Sequence, residues 1–254
     1  MTLILALRCP DGLVFAADSM STEAAPQGQT YITRHEVDKL IIQDDLLWGC
    51  SGSVGIKQLI QETIRNNYKN IWAPHISPTA LRKNLIDVIA PVITHQYRIV
   101  ADASLGKGPI PHTNFIFGAY LRSQFALIVI ECDMQGEVVE AKHCATGSGQ
   151  KTGQALLRRL RDQDWDLRTA EVVAYRTMND AIHVEPGGIG PPIKLARYYL
   201  TDGKPRIELI QGTDYDGIRD TAMAWTKLEQ EVLQSLGKPK TVEVPQSPPT
   251  PKSQ

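Results

Sequence analysis

The sequence has no excess of charge of either sign. Lysine and arginine number 27, and aspartate and glutamate number 28, so the 254 residues carry a net charge of −1. A protein that neutralises a nucleic-acid backbone carries a basic surplus, so we expect no nucleic-acid partner. Long apolar runs are also missing, and we therefore predict no transmembrane helix and no membrane partner.

Cysteine is scarce, and its spacing contains no metal-binding or redox motif. The four cysteines are Cys9, Cys50, Cys132 and Cys144, with no C-x-x-C pair among them. The first residues also lack the basic segment and the small-residue cleavage site of a secretory signal. We therefore expect reduced, buried thiols in a cytoplasmic protein, with neither a cofactor nor a metal.

Predicted strands and helices occur in groups along the chain. Apolar runs at 2–9 and 12–18 flank the turn residues Pro-Asp-Gly, which predicts a hairpin. The other predicted elements are strands at 39–43 and 46–50, helices from 53 and from 77, a loop at 101–112, strands at 115–121, 125–132 and 137–145, helices at 150–162 and 168–183, strands at 191–200 and 205–210, and a last helix.

This grouping predicts the fold class. A parallel βαβ sheet needs strands and helices to alternate singly, so we predict an α+β fold of two antiparallel sheets packed face to face, with helices on each outer side. Such an αββα sandwich covers both faces of each sheet, which explains why residues 2–7 are apolar at nearly every position. We expect one domain over 1–237 and a proline-rich, disordered tail over 238–254.

Two helix predictions concern single features. Pro91 should kink or weaken the helix that starts at 77, because proline has no N–H to donate. The last helix should be amphipathic and should end at Gly237. Its predicted apolar face consists of Ile218, Trp225, Leu228, Val232 and Leu236.

The first hairpin predicts a reactive site. With the turn centred on proline and aspartate, paired positions sum to 20 or 21, so Thr2 should lie near Asp18 or Ser19. Removal of Met1 by a methionine aminopeptidase would leave Thr2 with a free α-amine. Its reference pKa of about 8 would let the amine accept a proton from the threonine hydroxyl. Thr2 would then be a nucleophile with a built-in base.

Other parts of such a site are present in the sequence. Asp18 offers a carboxylate, and a buried Lys39 beside the nucleophile would favour its deprotonation. The glycine-rich turns SGSVG and TGSG follow strands, and they offer the N–H of Gly52 for an oxyanion and the hydroxyl of Ser148. Each feature alone also fits a structural role, as a turn residue, a solvated lysine or a helix N-cap. Their joint occurrence favours a site.

These motifs resemble those of proteasome β-type subunits and their bacterial relatives, which are N-terminal threonine hydrolases. The similarity lies in the opening threonine, the D-G turn and A-A-D after it, K-L-x-x-x-D from residue 39, GCSGSVG at 49–55 and ATGSG at 145–149. It extends over residues 2–210. The resemblance implies a four-layer αββα sandwich of the N-terminal nucleophile (Ntn) hydrolase fold. It also implies a bacterial proteasome homologue distinct from the ATPase-paired heat-shock peptidase.

The resemblance also implies catalytic roles. Thr2 would attack a peptide carbonyl, and Lys39, held by Asp18, would tune this nucleophile. The N–H of Gly52 would bind the tetrahedral oxyanion, and Ser148 would support the site. The resemblance implies no cofactor and no metal.

Substrate residues and partners follow from the same resemblance. Cys50, beside Ser51, would shape the first specificity pocket, and a small neutral residue there argues against a strong preference for charged side chains. Family members work as stacked rings, so we expect a homo-oligomer that hydrolyses peptides or unfolded proteins. A partner unfoldase or regulator is not identified by the sequence.

One segment departs from the family pattern. The family's second aspartate and serine near the amine usually lie in a segment like RDSASGG, whereas residues 181–192 read AIHVEPGGIGPP. His183 and Pro186 fall near those two positions, and Asp180, His183 and Glu185 are candidates to replace them. Two alternatives to a peptidase therefore remain, a structural ring subunit with a vestigial site and an Ntn amidohydrolase that acts on small amides.

Overall fold

The computed structural model describes residues 2–21, 35–73, 75–105, 112–131, 133–160, 164–185 and 188–236. The predicted tail at 238–254 and Cys132 lie outside these residues. The strands are β1 (Ile4–Cys9), β2 (Gly12–Asp18), β3 (Met20–Ser21), β4 (His35–Glu36), β5 (Leu40–Gln43), β6 (Leu46–Ser51), β7 (Asn114–Leu121), β8 (Gln124–Ile130), β9 (Gly136–Val139), β10 (His143–Thr146), β11 (Ile193–Thr201) and β12 (Lys204–Leu209). The helices are α1 (Val54–Ile71), α2 (Pro78–Ala103), α3 (Gln150–Arg159), α4 (Leu167–Val184) and α5 (Gly212–Leu236).

Two five-stranded antiparallel sheets form the centre of the molecule. The first has the strand order β10-β1-β2-β11-β12 and the second has the order β5-β6-β7-β8-β9. One buried apolar cluster joins the first sheet to α3, α4 and α5, and another joins the second sheet to α1 and α2. A third cluster lies between the sheets. The predicted α+β sandwich with helices on both outer sides is confirmed.

Strand β1 shows why its sequence is apolar at consecutive positions. Leu5 and Leu7 belong to the cluster beneath the helices, whereas Ile4 and Ala6 belong to the cluster between the sheets. Successive side chains of a strand point to opposite faces, so burial of both faces requires apolar residues at every position. The predicted explanation for the 2–7 run is therefore confirmed.

The segment predicted as one strand at 137–145 is two strands that belong to different sheets. Strand β9 pairs with β8 in the second sheet, and β10 pairs with β1 in the first. Between them, Arg8 holds the chain, because its backbone N–H donates to the carbonyl O of Lys142 at 2.6 Å and its guanidinium donates to that of Glu140. The prediction was wrong because β-type residues continue through the segment, and the partner strands decide where pairing changes.

Two helices differ in detail from their predictions. Helix α2 continues through Pro91 to Ala103, so the first residues of the predicted 101–112 loop are helical. In α5, Ile218 is fully buried and Trp225 packs partly against the core, under the guanidinium of Arg176. The rest of the predicted apolar face is exposed, with 59%, 49% and 75% exposure at Leu228, Val232 and Leu236. All residues of α5 from Lys227 to Leu236 are exposed.

Two expectations from the sequence concern membrane-spanning helices and the state of the cysteines. Among the described residues, no helix is long and apolar enough to cross a membrane. Cys9, Cys50 and Cys144 are buried free thiols, as predicted. Burial raises the pKa of each thiol to about 12, so all three stay protonated near neutral pH and are poor nucleophiles.

Candidate active site

Asp18, the last residue of β2, is fully buried and surrounded by donors. Its Oδ1 accepts a hydrogen bond from the N–H of Leu3 at 2.9 Å and another from Lys39 Nζ at 2.8 Å. Its Oδ2 accepts from the N–H groups of Met20 at 3.2 Å and Gly190 at 3.3 Å. Met20 follows Asp18 closely in the chain, whereas the other donors come from distant parts of the sequence, and together the four compensate the burial of the carboxylate.

Lys39 lies next to β5 and is almost as deeply buried as Asp18, with 5% exposure. Its ammonium also donates to the carbonyl O of Met20 at 2.7 Å. Burial lowers the pKa of Lys39 from its ordinary value, and Asp18 offsets part of this effect by stabilising the charged form. The result is a buried ion pair directly beside the start of β1.

Thr2 precedes β1 and is 8% exposed. Its N–H donates to Ser148 Oγ at 2.9 Å, and its carbonyl O accepts from the N–H of Gly149 at 3.1 Å. The turn after β10 can approach so closely because residue 147 is glycine. Gly147 has φ +101°, and a Cβ there would lie 2.2 Å from Thr2 O. Pairing of β1 with β10 thus places the turn against Thr2.

A second glycine turn connects β6 to α1 on the other wall of the site. Gly52 has φ +117°, and a Cβ there would lie 2.3 Å from the carbonyl O of His112, so only glycine fits. Ser53 caps the helix by accepting a hydrogen bond from the N–H of Ile56. Among the described residues, the N–H of Gly52 has no hydrogen-bond acceptor. This donor is available to an oxygen atom in the adjacent cleft.

The seven residues predicted for the site come together around a cleft of about 400 Å³. Six of them line it, namely Thr2, Lys39, Cys50, Ser51, Gly52 and Ser148. Asp18 lies beneath the cleft and reaches it through its contact with Lys39. Ser51 Oγ lies 3.4 Å from Thr146 Oγ1, which links the two glycine turns. A hydroxyl, a buried cation and an unused N–H thus share one cavity, and these are groups that acyl transfer requires.

The three residues considered as replacements near the Thr2 amine make contacts elsewhere. Their partners are Arg176 for Asp180 (Nε to Oδ2, 3.6 Å), the carbonyl O of Asn179 for His183 (Nδ1 to O, 2.7 Å) and Thr152 for Glu185. Helix α4 continues to Val184, so it carries Asp180 and His183 along its own surface. Pro186 lies outside the described residues. Of the described polar side chains near Thr2, Ser148 supplies the acceptor for its N–H.

Some contributors to the site were missed by sequence reasoning. The N–H groups of Met20 and Gly190 hold Asp18, and the GGIG motif could have indicated a close backbone approach for Gly190. Lys57 also lines the cleft, because α1 starts at the cleft wall. Its position one turn after the Ser53 cap in SGSVGIK was the available signal.

The chain was compared with protein families, curated proteins and solved structures. The model of the family described as "Proteasome subunit" matches residues 2–190. Comparison with curated protein sequences gives no match.

Three similar solved structures come from bacteria. The Anbu complex of Pseudomonas aeruginosa, described as a helical assembly, has a TM-score of 0.71 and 18% identity over 95% of this chain and 99% of that chain. A Gly-1 mutant of Anbu from Hyphomicrobium sp. strain MC1 has a TM-score of 0.70 and 18% identity, covering 94% and 100%. Anbu (ancestral beta-subunit) from Yersinia bercovieri has a TM-score of 0.68 and 18% identity, over 94% of this chain and 98% of that chain. At this identity the likeness shows the fold.

Proposed function

The chain belongs to the proteasome subunit family, and on that premise we propose that it hydrolyses peptide bonds with Thr2 as an N-terminal nucleophile. The observation that carries this proposal is the buried pair of Asp18 and Lys39 beside Thr2, with Nζ 2.8 Å from Oδ1. Burying two charges is costly, and a hydrophobic pair of similar volume would often be at least as stable. A catalytic use accounts for its retention at this position.

The proposed reaction requires Met1 to be removed. The hydroxyl Oγ1 of Thr2 attacks the substrate carbonyl carbon while the free α-amine takes the hydroxyl proton. The tetrahedral oxyanion binds to the N–H of Gly52 and collapses to an ester when the leaving amine receives that proton. Water, deprotonated by the same α-amine, then attacks the ester, which releases the acid and restores Thr2. Each step returns the proton that the preceding step removed.

The neighbouring residues have distinct roles in this proposal. Lys39 places a positive charge where the attacking oxygen becomes negative, and Asp18 holds Lys39 while also binding the N–H of Leu3. Ser148 orients the nitrogen of Thr2. Cys50 and Ser51 would contact the substrate from the other wall. All these groups are held by strands and tight turns, which favours the preorganisation that catalysis needs.

We further propose a cytoplasmic homo-oligomer whose enclosed sites act on peptides and unfolded proteins. Membership of the proteasome family supports assembly of like subunits. Stacked rings were expected from the sequence, whereas the P. aeruginosa relative is described as a helical assembly. Both arrangements place many copies of the site on one particle.

A structural subunit with a vestigial site is the second candidate function. The observation that favours it is the contact pattern of Asp180, His183 and Glu185, since each of these side chains is engaged away from Thr2. Among the described residues, Ser148 is the polar side chain that contacts the Thr2 nitrogen, and in this candidate that contact would not be enough to support proton transfer. This candidate predicts assembly without turnover.

Substitution of Thr2 distinguishes the two candidates. Mass spectrometry of the purified protein should show Thr2 as its first residue. Thr2→Ala should lower the hydrolysis of fluorogenic peptides by about 10³-fold or more, because it removes the nucleophile. Thr2→Ser is the matched control, and it should retain measurable turnover and covalent labelling by threonine-directed inhibitors. Equal rates for wild type and Thr2→Ala would exclude the proposed mechanism, and an assembled protein with no turnover would favour the structural subunit.

A further inference from the structure

The cleft beside Thr2 contains a second lysine that the proposed reaction does not use. Lys57 lies near the start of α1, and its side chain lines the same cavity as Thr2 and Lys39. Its ammonium donates a hydrogen bond to the backbone carbonyl O of Asp38. This contact holds the charge at the wall of the cleft, next to the start of β5.

The two lysines of the cleft differ in how their charges are compensated. Lys39 is paired with the buried carboxylate of Asp18 at 2.8 Å. Lys57 forms no salt bridge with a carboxylate within the described part of the chain, and its ammonium is held by a neutral carbonyl. Its charge still acts on the site, because after the larger effect of burial it contributes to lowering the pKa of Lys39. The uncompensated positive charge among the described lining residues therefore belongs to Lys57.

Among the described residues that line the cleft, no acidic side chain balances the charge of Lys57. Neither aspartate nor glutamate occurs among the described residues that line the cavity. Helix α1 also has no acidic residue in its first turn. The N-terminal end of a helix is itself partly positive, so a lysine there is unfavourable for the helix. Helix stability therefore does not explain Lys57, whereas attraction of an anion does.

Apolar side chains complete the pocket around Lys57. They are Met20, Val37, Cys50 and Val54. Cys50 is close enough for Lys57 to lower its pKa, against the larger effect of burial, which raises it to about 12. A side chain with a short aliphatic stem and an anionic end would place its stem against these residues and its charge near Lys57. Glutamate and aspartate have this form.

We propose that the cleft selects peptides with an acidic side chain on the residue whose carbonyl Thr2 attacks, and that Lys57 determines this specificity. The inference rests on the proposed function, because it names the substrate of the same site. The proposed preference for acidic side chains differs from the expectation of no strong charge preference, which was based on neutral Cys50 in β6. The difference arises because α1 contributes the charge of Lys57 to the pocket. In the complex, the substrate carboxylate takes the place of Asp38 O as a partner of Lys57.

Matched substrates test this specificity. Fluorogenic peptides that differ by glutamate or glutamine at the attacked residue should differ about tenfold in kcat/KM in favour of glutamate. Lys57→Gln should bring the ratio of kcat/KM for the glutamate and glutamine peptides close to one. Lys57→Glu should reverse the charge preference, so that a peptide with lysine at the attacked residue is cleaved faster than the glutamate peptide. Lys69→Gln is the matched control, since Lys69 lies in the last turn of the same helix, and it should keep the wild-type ratio. The melting temperature of Lys57→Gln should not fall.

A binding measurement separates this inference from the proposed chemistry. Fluorescence anisotropy with the full-length Thr2→Ala protein and the same labelled peptides reports affinity without turnover. The glutamate peptide should bind about tenfold more tightly than the glutamine peptide at low salt, and the difference should shrink in high salt because the charge is partly exposed. Lys57→Gln in the Thr2→Ala background should abolish it.

The outcomes of the two measurements can be told apart. A Lys57-dependent preference in binding without any turnover supports the selectivity and contradicts the peptidase. Turnover with equal rates for both peptides, or a preference that persists in Lys57→Gln, overturns the selectivity and leaves the peptidase standing. Absence of a binding preference together with absence of turnover overturns both.

Discussion

The two sides of Thr2 are built differently. On one side, Asp18 is fully buried and accepts hydrogen bonds from Leu3, Met20, Lys39 and Gly190. On the other side, the exposed Ser148 supplies a single hydroxyl from a turn. Within the described part of the chain, several segments therefore hold the carboxylate of Asp18 at once, whereas the contacts of the Thr2 nitrogen come from the turn after β10.

This difference indicates where the site tolerates change. A hydrogen bond in a buried network costs more to break than an exposed one, because the remaining partners cannot turn to water. We therefore expect substitutions on the carboxylate side to reduce both stability and activity. Those on the amine side should act mainly on activity.

The largest effect is expected from Asp18→Asn. This change leaves Lys39 as a buried, uncompensated charge, which should lower the free energy of unfolding by about 3–5 kcal/mol and abolish peptide hydrolysis. Urea unfolding monitored by circular dichroism gives the stability. In the double variant Asp18→Asn/Lys39→Met, stability should partly recover while activity stays absent. A single variant as stable as wild type would show that the buried pair does not hold this side together.

A smaller effect is expected from Ser148→Ala. The variant loses the two partly buried hydrogen bonds that Ser148 Oγ forms with the N–H and the carbonyl O of Thr2, so its free energy of unfolding should fall by about 1–2 kcal/mol. Peptide hydrolysis should fall about tenfold, because the nucleophile loses an orienting contact. Ser148→Thr keeps the hydroxyl and serves as the control. Destabilisation as large as that of Asp18→Asn would remove the contrast between the two sides.

The smallest effect is expected from Glu185→Gln. Its carboxylate contacts Thr152 and not Thr2, so the rate should stay within about twofold of wild type and the melting temperature should not change. Thr152→Val tests the same contact from its other end. A pH-rate profile shifted by Glu185→Gln, with a rate loss above tenfold, would instead place this carboxylate in proton transfer and make the amine side richer than its contacts indicate.

The sequence predicted well the first hairpin and the proximity of the candidate residues around it, because local rules determine both. The turn chemistry predicted paired positions that sum to 20 or 21, and the observed pair of Ile4 with Ala17 sums to 21. Gly52 and Gly147 could be recognised because only glycine adopts their backbone conformations without strain. Near Thr2, local sequence patterns and tertiary structure therefore require the same residues.

Prediction failed where distant contacts decide the structure. Nothing in the sequence between β9 and β10 marks a change of sheet, since the change depends on β8 and β1 as partners. In α5, the apolar pattern continues to Leu236, but the neighbouring core ends earlier. The orientation of the Glu185 side chain depends on its hydrogen bond with Thr152, which lies in α3, whereas Glu185 follows α4. Periodicity alone carries no information on such pairings.

The change of sheet between β9 and β10 links the folding of the two halves. One short segment leaves the edge of one sheet and enters the edge of the other, held by the backbone of Arg8 in β1. Because β9 and β10 are joined by only a few residues, detachment of one edge strand disturbs the pairing of the other. The two sheets should therefore unfold in one cooperative transition. Strand β10 leads directly to the turn that contains Ser148. Amide exchange of the β10 residues should therefore report the opening of the whole sandwich and not of that turn alone.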